Sequence, residues 1–403
     1  MLLKNIGRNV VFLGIVSGLT DISSEMLYPI MPLFLTAVLG APMTVVGLIE
    51  GVAEATASLL KAASGLWSDR AGRRKPFVLW GYGLSAASKP LLALAGAWPF
   101  VLFCRFLDRT GKGVRGSARD ALLASSTEPE HWGQAFGFHR AMDTAGAVAG
   151  PLLTVLLLSV FGMSYRGIFL IAAVPAALGV VVLAYFVEER RLSPDGAAAP
   201  RGGAAGLPAR SAGSAIKNIF TPDYTRFFLI YGLFAVGNSS DAFLLLKAKA
   251  GGLSATAVVL AYVLYNAVYA LAATPAGVLA DRIGRSRALA LGLAVFALVY
   301  LGFAWAGGSA VWLLFPVYGL YGALAESSLK AALAERCTAE NRAAAMGLFQ
   351  GAAGILALVA SVAAGWLWSR VSPAAPFYLG AACAAAAAGL MALFPVRARS
   401  SAR

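Results

Sequence analysis

The segment GLWSDRAGRRK, residues 65–75, closes the second of a series of long apolar stretches. A related segment, GVLADRIGRSR, occupies residues 277–287 and closes the eighth stretch. Both contain a glycine, an Asp-Arg pair and a Gly-Arg pair at the same spacing. A weaker echo pairs residues 23–25 (SSE) with residues 239–241 (SSD). The repeat predicts two related halves inserted in the same orientation.

Apolar residues dominate the composition between these segments. Of 403 residues, 59% are hydrophobic and only 13% are charged, with a mean hydropathy of +0.74, whereas soluble domains carry about 25% charged residues. Apolar runs of 18 or more residues are long enough to cross about 30 Å of hydrocarbon as helices, which satisfy their own backbone hydrogen bonds. The alternating polarity of a transmembrane β-barrel is absent from the sequence. We therefore predict an all-α polytopic membrane protein.

The apolar runs predict twelve membrane spans with one linker after the sixth. The linker, residues 188–218, is rich in Ala, Gly, Pro and Arg and has little apolar periodicity. We expect an N-terminal six-helix bundle over 1–187, a cytoplasmic linker over 188–218 and a C-terminal six-helix bundle over 219–403. The first span is too long for a signal peptide and is expected to remain in the protein. The predicted spans lie near 10–39, 43–66, 76–95, 98–124, 133–161, 165–187, 223–250, 254–279, 286–306, 309–335, 341–368 and 373–396.

The net charge of +14 is explained by topology rather than by nucleic-acid binding. If both termini are cytoplasmic, 21 of the 33 Lys and Arg residues fall in the inside loops and tails. The outside loops hold four: Arg166, Lys247, Lys249 and Arg370. This asymmetry follows the positive-inside rule and sets the predicted orientation.

The doubled segment resembles the signature loop of the major facilitator superfamily, G-x-x-x-D-R-x-G-R-R/K, and the resemblance covers essentially the whole chain. It implies two pseudo-symmetric six-helix bundles and a secondary active transporter that moves a small solute by alternating access. Helices 1, 4, 7 and 10 would line a central cavity. It also implies a monomer, in the cytoplasmic (inner) membrane of a bacterium, with both termini cytoplasmic.

Two further motifs bear on the direction of transport. Residues 146–151, GAVAGP, look like the G-x-x-x-G-P motif of helix 5 in exporters of this superfamily. Residues 105–111, RFLDRTG, look like R-x-x-Q-G-x-G with Asp and Arg in place of Gln and Gly. We therefore expect proton-coupled efflux. The alternatives are proton-coupled uptake of a metabolite or metal chelate, and a non-transporting membrane sensor or scaffold.

Enzymatic activity and bound cofactors are not expected. The sequence has no G-x-x-x-x-G-K-[ST], H-E-x-x-H or G-x-S-x-G motif. The three cysteines, Cys104, Cys337 and Cys383, show no C-x-x-C spacing and predict neither a disulfide nor a metal site. The expected partners are a small solute, protons and the lipid bilayer.

In the family, the signature loop latches the two halves together on the cytoplasmic side. Glycine permits close helix approach, and an aspartate can meet the positive N-terminal end of a helix. The available helix starts are 338–342 for Asp69 and 127–130 for Asp281. The alternative is that the basic cluster only anchors the topology. The latch candidates are Gly65, Asp69, Arg70, Gly72, Arg73, Gly277, Asp281 and Arg282.

Apart from the charges assigned to the loops and those at the ends of the spans, sixteen charged residues fall in the apolar interior of the predicted spans. A charge at the bilayer centre costs about 2.5 to 3.5 kcal/mol, so these residues predict paired charges or a water-filled cavity. The alternative for each acid is an inert salt bridge. The candidates for proton coupling are Asp21, Glu25, Glu54 and Asp143. The candidate cavity charges are Arg105, Asp108, Arg109, Lys112, Arg140, Asp241 and Glu326.

Among these candidates, Asp21 and Glu25 share one face of span 1. Arg105 and Arg109 of span 4 are their expected partners. His139 precedes Asp143 by four residues and is either a proton relay or a satisfied interfacial histidine. Aromatic and polar residues of the second half either pack between helices or contact solute. These are Tyr262, Tyr265, Asn266, Tyr269, Tyr318, Tyr321 and Gln350.

The charge asymmetry generates a topology test. A green fluorescent protein fused after Arg403 should fluoresce, and an alkaline phosphatase fused there should be inactive, because both report a cytoplasmic C-terminus. An active phosphatase fusion would overturn the predicted orientation.

Overall fold

The computed structural model describes residues 7–128, 131–189, 219–305, 308–337 and 342–393. Within these ranges the chain is helical and contains no strand. Ten segments are long and apolar enough to cross a membrane, and the two helices Lys75–Ala93 and Trp98–Ser125 are long but more polar. The predicted all-α class with twelve spans is confirmed.

We number the long helices in chain order. The first half contains α1 (Arg8–Leu27), α2 (Met43–Ala71), α3 (Lys75–Ala93), α4 (Trp98–Ser125), α5 (Trp132–Ser159) and α6 (Tyr165–Phe186). The second half contains α7 (Pro222–Gly237), α8 (Ala242–Ala250), α9 (Ala255–Ile283), α10 (Arg285–Trp305), α11 (Val311–Glu335), α12 (Arg342–Arg370) and α13 (Ala375–Leu393).

The first span is irregular where it leaves α1. Pro29 and Pro32 lack backbone N–H donors and stand in short helical turns, which are followed by a π-helical turn over Phe34–Val38. The combined span reaches from Arg8 to Val38. Proline therefore changes the hydrogen-bonding pattern of this span without ending it.

The seventh span is broken into two half-helices. Helix α7 ends at Gly237, and α8 begins at Ala242. At the break, the N–H of Ser240 donates to the hydroxyl of Ser361 on α12 at 3.1 Å, and the N–H of Ala242 donates to the Ser240 hydroxyl at 3.3 Å. Side chains thus satisfy backbone donors that a continuous helix would have paired internally.

The helices fall into two compact units. The first unit comprises Met1–Phe34 and Val52–Ala209, and the second comprises Leu35–Gly51 and Arg210–Arg403. Residues 35–51 group with the second unit because the start of α2 packs closely on α12, where a Cβ at Gly51 would lie 2.7 Å from Leu358. The predicted linker lies almost entirely outside the described residues.

The two units repeat one packing scheme. In the first unit, α1 packs against α5 and α6, and α3 packs against α4 and α6. In the second unit, α7 packs against α12 and α13, and α10 packs against α11 and α13. The doubled sequence segment is thus accompanied by a doubled pattern of helix contacts.

Glycines on α5 allow α1 to approach closely. A Cβ at Gly146 would lie 2.7 Å from the carbonyl oxygen of Gly18 and 2.8 Å from the Cβ of Asp21. A Cβ at Gly150 would lie 2.6 Å from the carbonyl oxygen of Ile22. Small residues four apart on one helix are the usual means of close helix contact in membranes. This contact lies beside the acidic face of α1.

The crossing of α1 and α5 predicts a size limit at Gly150. Gly150→Leu should lower the thermal unfolding midpoint in detergent, because overpacking costs about 1–3 kcal/mol. Gly137→Leu on the same helix is the matched control, since no described atom lies within 4 Å of a Cβ at Gly137. Equal midpoints for the two variants would contradict the close contact.

Candidate functional site

The two signature segments each contain a glycine with a positive φ. Gly72 has a φ of +62° and Gly284, at the equivalent position, has a φ of +93°. This left-handed region favours glycine, because a Cβ would be strained there. The glycine of each signature therefore ends one helix and turns the chain into the next.

Glu189 holds the first signature loop. Its carboxylate oxygens accept hydrogen bonds from the backbone N–H groups of Arg74 at 3.0 Å and Lys75 at 2.9 Å. A carboxylate at the start of α3 is favoured by the positive end of the helix dipole. The Arg74 guanidinium is buried and donates to the carbonyl oxygen of Ala121 at 2.8 Å. Residues after α6 thus fix the loop between α2 and α3.

Side-chain ion pairs hold the second signature. Arg285 contacts Glu335 at 3.1 Å and Asp281 at 3.6 Å, and Arg336 donates to the Ser286 hydroxyl at 2.8 Å. These contacts join the ends of α9, α10 and α11. They are local to the second unit.

The latch candidates are described only in part. The side chains of Gly65, Asp69 and Arg70 lie outside the described residues, as do positions 129–130 and 338–341 of the expected helix starts. Arg73 and Arg282 are exposed. The close approach expected at the signature glycine is not found at Gly277, because no described atom lies within 4 Å of a Cβ there.

The expected polar stripe of α4 is buried where it lies against α3. There the Lys89 ammonium contacts the Asp108 carboxylate at 2.7 Å. Further along α4, Arg115 donates to the Ser85 hydroxyl at 2.6 Å and lies over the ring of Tyr82, 4.4 Å from its centroid. Arg105 is also buried, and Arg109 lies 3.9 Å from Asp108. These charges stabilise the contact between α3 and α4.

Lys112, four residues after Asp108 on α4, is exposed in the protein. Lys112 interacts electrostatically with Asp21 of α1 and Glu54 of α2. The bases that act on Asp21 are Lys112 and Arg115. They differ from the expected pair, Arg105 and Arg109, which act on Asp108 of their own helix.

A polar cluster, which we call the α1–α5 acid cluster, joins three helices of the first unit. It contains Asp21 and Ser17 of α1, Arg119 of α4, and His139 and Asp143 of α5. His139 Nδ1 lies 3.4 Å from Asp143 Oδ2, and Arg119 donates to the Ser17 hydroxyl at 3.2 Å. Asp143 is hydrogen-bonded to Ser17 and interacts with both Arg119 and Asp21.

Two atoms of this cluster are buried without a hydrogen-bond partner among the described residues. They are Nε2 of His139 and Oδ1 of Asp143. Buried polar atoms are normally paired, so such exceptions mark strained or functional sites. The cluster therefore contains acceptor and donor positions that a proton or water can use.

The remaining acids and bases of the first unit surround this cluster less closely. Glu25 lies one turn beyond Asp21, where a Cβ at Gly150 would lie 2.9 Å from its Cβ. Glu54 and Arg140 are exposed on the protein surface. The structure thus brings Asp21, Asp143 and His139 together and leaves Glu54 at the edge of the charged region.

Tyrosines bind both carboxylates named in the second unit. The Tyr318 hydroxyl donates to Asp241 Oδ1 at 2.6 Å. The Tyr269 hydroxyl donates to Glu326, whose other oxygen lies 3.0 Å from the Lys330 ammonium. The charge of Glu326 is therefore neutralised by the Lys330 ammonium.

The tyrosines form a continuous aromatic wall on α9, α10 and α11. The ring centroids of Tyr265 and Tyr318 are 5.2 Å apart, as are those of Tyr318 and Tyr321. Tyr300, which the sequence analysis did not single out, is hydrogen-bonded to Ser239 and Tyr318. The sequence shows the helical spacing of these tyrosines, but it does not show that Tyr300 is hydrogen-bonded to Ser239 in the break of the seventh span.

Comparisons with known proteins agree with this architecture. The family model described as Major Facilitator Superfamily matches residues 13–248 and 228–403. An uncharacterised MFS-type transporter of Methanocaldococcus jannaschii is 35% identical over 398 residues, covering 97% of this chain and 96% of its own. A multi-drug resistance efflux pump of Streptococcus pneumoniae is 25% identical over 174 residues, covering 42% of this chain and 43% of its own.

Solved structures share the fold. The crystal structure of the nucleoside transporter NupG aligns with a TM-score of 0.77 at 13% identity, covering 97% of this chain and 100% of that one. At this identity the likeness establishes the fold alone. With the family match over both halves and the doubled signature loop, it follows that this multi-pass membrane protein belongs to the major facilitator superfamily of transporters, which are not enzymes.

Proposed function

We propose that the chain is a proton-coupled secondary active transporter that exports a small solute from the cytoplasm by alternating access. It would lie in the cytoplasmic membrane as a monomer with both termini inside. The observation that carries this proposal is the α1–α5 acid cluster, in which two carboxylates, an imidazole and an arginine meet inside the first unit. Family membership supplies the transport function.

The chemistry of the cluster suits a proton that binds and leaves. Asp21 and Asp143 are close enough to repel each other electrostatically, and this repulsion is relieved when one of the two carboxylates binds a proton. Arg119 stays protonated, so the mobile proton must reside on an acid or on His139. Proton binding at Asp143 would weaken its attraction to Arg119 and release a tie between α4 and α5.

Two observations support export. Gly146 and Gly150 of the GAVAGP motif stand at the close contact of α1 and α5, beside the acid cluster. A relative that matches part of the chain is described as an efflux pump. A conformational change at this contact would alter the surroundings of Asp21, so solute movement and proton binding would be linked.

The alternative is that the same protons drive uptake of the solute. The acid cluster would couple protons to uptake as well as to export. Measuring whether a proton gradient drives solute into inside-out vesicles or into right-side-out vesicles separates the two. Export requires accumulation in the inside-out vesicles.

Neutralising the acid cluster should uncouple transport. Asp21→Asn and Asp143→Asn should each reduce gradient-driven accumulation by about tenfold or more while downhill exchange of solute remains measurable, because the proton site is lost and the helices are kept. Glu25→Gln is expected to have the same effect if Glu25 shares the proton. The measurement is solute accumulation in proteoliposomes with and without an imposed pH gradient.

Asp223→Asn is the matched control, because Asp223 is an exposed acid in the first turn of α7. It should accumulate solute like the wild type. If Asp21→Asn and Asp143→Asn also retain wild-type accumulation, the cluster is structural and the proposed coupling site is wrong.

A further inference from the structure

We infer that the first unit binds a small zwitterion, a solute that carries both an ammonium group and a carboxylate. The site is formed by Asp21 of α1, Glu54 of α2 and Lys112 of α4, and we call it the three-helix charge site. The inference rests on the proposed function for the transport of a solute, and it names the chemical class of that solute.

The close approach of α2 and α4 positions the base of this site. A Cβ at Gly113 of α4 would lie 2.6 Å from the Cβ of Leu60 and 3.1 Å from the carbonyl oxygen of Ala57, both on α2. Glycine at this position permits the two helices to pack closely. Lys112, which directly precedes Gly113, is therefore held beside the part of α2 that carries Glu54, three residues before Ala57.

The charges of the three helices act on one another without direct contact. Lys112 interacts electrostatically with Asp21 and with Glu54. No carboxylate of the described residues lies within 4 Å of the Lys112 ammonium. At such a separation the acids attract the base but do not form hydrogen-bonded ion pairs with it. The space between them can therefore hold the charged groups of a solute.

The three-helix charge site is accessible from outside the helices. Lys112 and Glu54 are exposed, and Asp21 is partly exposed. Contact with hydrocarbon is unfavourable for a charged side chain, so charged residues of membrane spans face the interior of a helix bundle or a water-filled cavity. Because groups on two other helices act on Lys112, its exposed surface belongs to a polar recess that a solute can enter.

The signs of the charges select the class of solute. Helix α4 is basic here, because Arg109 and Arg115 act on Lys112 as like charges, whereas α1 and α2 contribute the acids Asp21 and Glu54. A solute with only one kind of charge would be attracted by one set of groups and repelled by the other. A zwitterion would meet both sets, with its carboxylate at Lys112 and its ammonium group at the acids.

The test compares solutes that share a skeleton and differ in charge. Phenylalanine is compared with phenethylamine and phenylpropionate, and aminopentanoate, with its amine at the far end of the chain, is compared with pentylamine and pentanoate. The two sets cover a short and a long separation of the charges. Each solute is titrated into the detergent-solubilised full chain near neutral pH, and binding is measured by equilibrium dialysis. We expect at least one zwitterion to bind about tenfold more tightly than its amine and its acid.

Two substitutions separate the charge of Lys112 from its size. Lys112→Gln should weaken binding of the zwitterion by about tenfold without weakening binding of the amine, because only the carboxylate of the solute loses its partner. Lys112→Arg should retain binding of the zwitterion, because the positive charge remains. Lys249→Gln is the charge-matched control, since Lys249 is an exposed base on α8 of the second unit. Its affinity should equal that of the wild type.

The inference is overturned if neither zwitterion binds more tightly than its amine and its acid, or if Lys112→Gln binds the zwitterion as tightly as the wild type does. The measurement needs no membrane or gradient, and Lys112 is not part of the α1–α5 acid cluster. Failure here therefore leaves the proposed proton coupling intact. Retained binding of a zwitterion by a chain that shows no proton coupling in liposomes would refute the proposed function alone.

Discussion

The cost of placing charge in hydrocarbon controls the structure of this chain. At about 2.5 to 3.5 kcal/mol for each charge near the bilayer centre, an unpaired charge would oppose insertion. Charges of the first unit instead meet partners: Lys89 of α3 contacts Asp108 of α4, and Asp143 contacts His139 one turn earlier on α5. Glycines of α5 bring it close to the acidic face of α1 at Asp21. Close helix packing and the pairing of charges therefore depend on each other in this protein.

The two units share one packing scheme but stabilise their charged residues with different side chains. The first unit pairs acids with lysine, arginine and histidine, which exchange protons or hold fixed positive charge. The second unit holds Asp241 with the hydroxyl of Tyr318 and surrounds it with aromatic rings. Under our proposal, protons bind in the first unit. The same packing scheme therefore holds different buried polar groups in its two copies.

Sequence predicted the parts of this structure that depend on local pattern. Hydropathy predicted the spans, and the doubled signature predicted the repeat, because both are local. Spacing on α4 predicted one polar stripe, but it could not show that Asp108 is buried against Lys89 of α3 whereas Lys112, one turn further on, is exposed. The break before Asp241 depends on Ser361, which is distant in sequence. Glu189, which caps α3, carries no local signal at all.

We propose that a proton and a solute exchange through one protein by way of the α1–α5 acid cluster. The most direct measurement is proton movement in proteoliposomes that contain a trapped pH-sensitive dye, with a panel of organic cations, zwitterions and anions added outside. We expect the transported solute to release protons from acid-loaded vesicles containing the wild type, and we expect this release to be lost in the Asp21→Asn, Asp143→Asn double variant. Proton release that no solute stimulates, or that persists in the double variant, would show that the cluster is not the coupling site.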